Sequence, residues 1–137
     1  MIVDSTEGPH VTFSVPPRYP ETERIQNIEA AFAFAFLVDP TGRPEYETVS
    51  FIGGAVPGFF AEACNFLRDV RFAPIVRDGV PRRALLVSEL TFGLEHLDPA
   101  RPGQHVRAPN VEKIRRELIA KGLEASVREL EGRRHCP

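Results

Sequence analysis

The stretch Ala30-Ala31-Phe32-Ala33-Phe34-Ala35-Phe36-Leu37-Val38 decides the fold. Phe32, Phe34, Phe36 and Val38 fall on one side of an extended chain at period two, and Ala33, Ala35 and Leu37 fall on the other, so the segment is predicted to be a strand. Both sides are apolar, which places it at the centre of a sheet. Asp39-Pro40-Thr41-Gly42 follows, with Asp first, Pro second and Gly fourth, the chemistry of a type I turn. An amphipathic strand from about Glu45 to Ile52 then completes a hairpin.

Working outward, Gly53-Gly54-Ala55-Val56-Pro57-Gly58 interrupts the sheet. Phe59, Ala63, Phe66, Leu67 and Val70 then recur at helical spacing, so a helix is predicted to cover the sheet. Arg71-Phe72-Ala73-Pro74 ends it, and Arg77-Asp78-Gly79-Val80-Pro81 is a turn. Arg83 to Phe92 alternates again, with Leu86, Leu90 and Phe92 on one face and Leu85 and Val87 on the other. The core therefore reads strand, strand, helix, strand.

The flanks carry weaker signals. Residues 1 to 15 read as an N-terminal arm, and Val15-Pro16-Pro17-Arg18-Tyr19-Pro20 must be extended because proline fixes φ and restricts its predecessor. Glu21 to Ile28 has the charge of a short helical turn. Residues 97 to 109 are rich in Pro, Gly, His and Arg and read as a linker. Asn110 is a good N-cap for a helical extension over residues 110 to 134. Its apolar residues form two offset stripes, Val111, Ile114 and Leu118, then Leu123, Val127 and Leu130. Lys121-Gly122 lies between them, so the extension is either one helix with a weak point or a helical hairpin. Its apolar face requires a partner surface, on this domain or on another protein.

Composition bounds the function. A chain of 137 residues, 42% hydrophobic and 26% charged, suits one globular domain with appendages. A net charge of −2 gives no general attraction for nucleic acid or an anionic membrane. No apolar run approaches the roughly 20 residues of a membrane span, and the first residues lack the pattern of an export signal. Cys64 and Cys136 are too few to define a disulfide framework, and Cys64 reads as a small packed hydrophobe.

His10, His96, His105 and His135 lie in arms or linkers, outside any metal-ligand or catalytic spacing, so no catalytic residue, metal site or cofactor is expected. Gly53-Gly54 lacks the Lys and the spacing of a phosphate loop. Arg115, Arg116, Lys121 and Arg128 are interleaved with Glu112, Glu117, Glu124 and Glu129, the pattern of a solvated helix face. No nucleic-acid partner is expected. Arg133-Arg134-His135 alone is uncompensated.

Tyr19-Pro20, a strand ending in Val38-Asp39-Pro40-Thr41-Gly42-Arg43, a helix ending in Arg71-Phe72-Ala73-Pro74, Asp78-Gly79-Val80-Pro81 and a last strand to Phe92-Gly93-Leu94 occur in an order and spacing that resembles the C-terminal domain of TonB-type energy transducers. The resemblance covers about residues 16 to 94, within a domain set at 16 to 96. It implies an α+β fold with one three-stranded antiparallel sheet, order 2-1-3, and one helix on a face, followed here by the helical extension. It also implies a periplasmic setting and capture of an extended receptor peptide at the edge of the last strand, with the Tyr-Pro segment nearby. The physics is β-augmentation. The sequence departs from the family pattern in three ways: it shows neither the N-terminal membrane helix nor the long proline-rich spacer of a full energy transducer, Glu29-Ala30-Ala31 and Val15-Pro16-Pro17-Arg18 stand where a Gly and a Gln-rich lead-in are usual, and a long extension follows the last strand.

Two readings result. In one, the protein is a non-catalytic accessory subunit of a larger membrane-associated assembly, clasping protein partners with its terminal extensions through Ile114, Leu118, Val127 and Leu130. In the other, it captures an extended segment of an envelope protein through Pro17, Arg18, Tyr19 and Pro20 and the edge residues Arg83, Leu85, Val87, Glu89 and Thr91.

Overall fold

The computed structural model describes residues 2–4, 10–52, 57–94, 104–106, 110–131 and 136. Among the described residues, eight strands and four helices follow in the order β1 (Ile2–Asp4), β2 (Val11–Phe13), α1 (Glu21–Ile25), β3 (Ile28–Val38), β4 (Pro44–Ile52), α2 (Pro57–Asp69), β5 (Arg71–Phe72), β6 (Ile75–Arg77), β7 (Val80–Phe92), β8 (Gln104–Val106), α3 (Val111–Ala120) and α4 (Leu123–Glu131).

The fold is α+β, but the expected single three-stranded sheet with one helix is wrong. The main sheet runs β1-β7-β3-β4, with β6 also pairing β7 and β8 also pairing β3, and β2 and β5 form a second, two-stranded sheet. The expectation failed on short strands. β1, β2, β5, β6 and β8 have two or three residues each, too few to show a period of two in sequence. β1, β6 and β8 are held by backbone pairing with longer neighbours, and β2 and β5 by pairing with each other.

β3 is buried from Ala30 to Val38, as its two apolar faces require. It pairs antiparallel with β7 in unbroken register from Ala30↔Phe92 to Val38↔Ala84. Its other neighbour, β4, slips register between Ala35 and Leu37. There the Thr48 hydroxyl accepts from the Leu37 N–H at 2.9 Å and donates to the Glu45 carbonyl at 2.6 Å, so the bulge leaves neither group unsatisfied.

Two turns fix the long hairpin partners. At Asp39-Pro40-Thr41-Gly42 the Gly42 N–H donates to the Asp39 carbonyl at 3.0 Å, and the Asp39 carboxylate accepts from the Thr41 and Arg43 N–H groups at 2.9 and 3.1 Å. Burial alone would raise the Asp39 pKa, but the hydrogen bond that the Thr41 hydroxyl donates at 2.6 Å, these two backbone hydrogen bonds and the Arg43 charge outweigh it and hold the carboxyl below its usual range. Gly42 has φ +94°, and a Cβ there would lie 1.9 Å from the Phe72 carbonyl oxygen. Asp78 and Gly79 both have positive φ, the requirement of a two-residue type I′ hairpin, here joining β6 to β7. The last strand therefore begins at Val80, three residues before the expected Arg83.

The sheet is covered on both faces. On one, α2 packs Phe60, Ala63, Cys64 and Leu67 against Phe34, Phe36, Val49 and Leu86. On the other, α3 and α4 pack Leu118, Val127 and Leu130 against Ala35, Leu37 and Leu85, with Ile114, Leu123 and Val87 at the margin. The extension is the helical hairpin: Asn110 caps α3 by accepting from the Lys113 N–H at 3.0 Å, and Gly122 at φ +91° separates the helices. Two buried hydroxyls pin α4. Ser50 donates to the Leu130 carbonyl at 2.8 Å, and Ser126 donates to the Leu118 carbonyl.

A third cluster closes the end of the sheet. Tyr19 meets Phe59 and Phe92 edge-on at 5.5 and 5.8 Å, and its hydroxyl donates to the Ile28 carbonyl. Beside it, the buried Glu23 carboxylate lies where a Cβ on Gly58 would be, 2.5 Å from both oxygens. A carboxylate is favoured at this first turn of α2, because helix N-termini carry positive partial charge.

Cys64 and Cys136 form a disulfide with Cα atoms 5.6 Å apart, correcting the reading of Cys64 as a free packed thiol. It is a packed residue as well, since both cysteines are buried in the α2 cluster. A separation of 72 residues gives no local signal of such a pair. The bond holds Cys136 on the α2 face, whereas α4 packs on the opposite one.

Candidate functional site

β7 has two sides. Along Ala84–Phe92 one side pairs with β3. On the other, β1 takes Arg83–Leu85 in parallel, while β6 pairs with the preceding Val80–Arg82. From Leu86 to Phe92 no other described strand joins that side. In an antiparallel ladder alternate residues aim both N–H and C=O away from the partner, so on this half of β7 those backbone donors and acceptors have no strand partner among the described residues. Glu89 and Thr91 are exposed along it, with the Thr91 hydroxyl 3.2 Å from the Glu89 carboxylate.

The remaining sequence-expected site residues are distributed differently. Arg83 forms a two-pronged ion pair with Glu45 at 2.6 and 2.7 Å, and it and Leu85 face β1 through the backbone. Leu85 and Val87 lie beneath the helical hairpin together with Ile114, Leu118, Val127 and Leu130. The apolar stripes of the extension therefore find their partner surface on this domain. Tyr19 is fixed in the aromatic cluster, where burial first, then the nearby Glu29 and Glu23 carboxylates, raise its pKa. Pro20 is the N-cap of α1.

Pro17 and Arg18 belong to a second feature. The extended arm and α2 enclose a cleft of about 260 Å³ lined by Val15, Pro16, Pro17 and Arg18 on one side and Glu62, Asn65, Phe66 and Asp69 on the other. The Arg18 N–H donates to the Glu62 carboxylate at 3.1 Å, which holds the arm against the helix. Val15 is continuous with Val11 and Phe13, and the three are 46%, 52% and 55% exposed. Three alternating apolar positions are too few to mark a strand, so the sequence reads them as part of the arm of residues 1 to 15.

Among the described residues no group of three or more His, Cys, Asp or Glu side chains is placed to hold a metal, and no helix is long and apolar enough to cross a membrane. Gly53-Gly54, His96 and Arg133-Arg134-His135 lie outside the described residues, as do the side chains of His105 and its neighbours in β8. No family model matches the chain, and the curated proteins hold no match to it.

Proposed function

We propose that the chain is a non-catalytic protein-binding module of an oxidising compartment, which captures an extended segment of an envelope or membrane protein along the open half of β7. The observation that carries this is the edge from Leu86 to Phe92, which has no partner strand on its outer side among the described residues. β1 supports it, because this side of β7 already accepts a short strand at Arg83–Leu85. The disulfide supports the compartment, since such bonds persist where thiols are not kept reduced. The order of motifs shared with the TonB-type domain supports the kind of ligand. Less supports the clasping reading, because the stripes of α3 and α4, one of the surfaces it would use, are buried on the chain's own sheet.

The test is selection of displayed random dodecapeptides on the immobilised full chain, followed by amide hydrogen exchange with the enriched peptides. Protection concentrated in Leu86–Phe92 is the expected result. Peptides that protect other segments, or no enrichment at all, would refute the proposal.

A further inference from the structure

The cleft between the arm and α2 is not used by the open edge of β7, and its chemistry is specific. Glu62 and Asp69 stand two turns apart on one side of α2, about 10 Å along the axis, with Phe66 and the arm prolines between them. Asp69 has no ion-pair partner among the described residues, and Glu62 has only the Arg18 backbone N–H. The pocket therefore has apolar walls and two carboxylates, with Arg18 the one cation among its lining residues. Its volume of about 260 Å³ is below the roughly 300 Å³ at which pockets for drug-sized molecules begin, which suits one long side chain.

We propose that this cleft receives a basic side chain, arginine or lysine, from an extended segment of a partner protein. The aliphatic stem lies along Phe66, Pro16 and Pro17, as long basic side chains cover apolar surface while their heads reach polar groups. The cationic head meets Glu62 or Asp69, and arginine can take a carboxylate with two parallel hydrogen bonds. Apolar residues of the same segment flank it over Val15, Phe13 and Val11, whose exposure forms a strip leading into the cleft. Glu62 and Asp69 outweigh the single Arg18 in the lining and leave the cleft net anionic, so charge complementarity favours a basic segment over an acidic or wholly apolar one.

The experiment uses the 15N-labelled full chain titrated with N-acetyl-Val-Arg-Val-amide, followed by amide chemical shifts. Shifts are expected at Val15, Glu62, Asn65, Phe66 and Asp69, with N-acetyl-Val-Glu-Val-amide at least about ten-fold weaker. Glu62→Gln with Asp69→Asn should weaken the arginine peptide by about ten-fold and leave the rest of the spectrum in place. If the double variant does not fold, Asp69→Asn alone, at an exposed position, should give a smaller loss in the same direction. Shifts confined to residues outside the cleft, equal affinity for the two peptides, or affinity unchanged in the variants would overturn the proposal. The open-edge reading is unaffected by any of these results, since it is measured by protection of Leu86–Phe92.

Discussion

Replacing Cys136 by Ser removes the disulfide while keeping Cys64 in the α2 cluster, and its effect follows from the size of the loop that the bond closes. The two cysteines are 72 residues apart. In the chain-entropy account, a cross-link over a loop of that length removes about 15 cal/mol/K from the unfolded ensemble, or about 4 kcal/mol at 25 °C. Unfolding entropy for a chain of this size is about 0.3 kcal/mol/K, so the thermal midpoint should fall by about 15 °C. The assay is differential scanning calorimetry of wild type and Cys136→Ser without reductant, with wild type in reductant as a third sample. The variant and the reduced wild type should coincide within a few degrees, well below the oxidised protein. A midpoint that is insensitive to reductant, or two free thiols titrated in the native oxidised protein, would refute the pairing and the compartment argued from it.

Gly42→Ala should cost more than the roughly 1 kcal/mol of an ordinary glycine substitution, because the φ of +94° and the Phe72 carbonyl at 1.9 Å must both yield; urea unfolding reads this, and a loss below about 0.5 kcal/mol would contradict the turn geometry. Leu130→Ala should destabilise by about 2 to 5 kcal/mol, since Leu130 is buried on the second face of the sheet; an unchanged midpoint would mean that the helical hairpin does not pack there. Asp39 has a folded pKa below its unfolded value, so its contribution is fully present above the ordinary carboxylate range and is lost as pH falls through the folded pKa. The stability gap between wild type and Asp39→Asn should therefore be constant near neutral pH and shrink below about pH 3.8; a gap that stays constant down to pH 2 would count against the hydrogen bonds at Asp39.

Sequence alone determined the long elements. Apolar residues on both faces of Ala30–Val38 demanded a central strand covered on two sides, and the structure buries all of them. Asp39-Pro40-Thr41-Gly42, the face assignment of Leu86 against Leu85, the helix carrying Phe59, Ala63 and Leu67, and the cap at Asn110 were legible because each rests on local turn chemistry or on a period repeated several times. Tertiary structure alone decided the rest. Strands of two or three residues have no readable period, so β1, β2, β5, β6 and β8 exist only through the neighbours they pair with. The stripes of α3 and α4 specified an apolar partner without specifying which, and the second face of the sheet is that partner. The Cys64–Cys136 bond, the cleft between Pro17 and Glu62, and the division of the β7 edge into a covered and an open half all join residues far apart in the chain. Such contacts leave no local mark, because their favourable energy appears only once the chain has closed around the core.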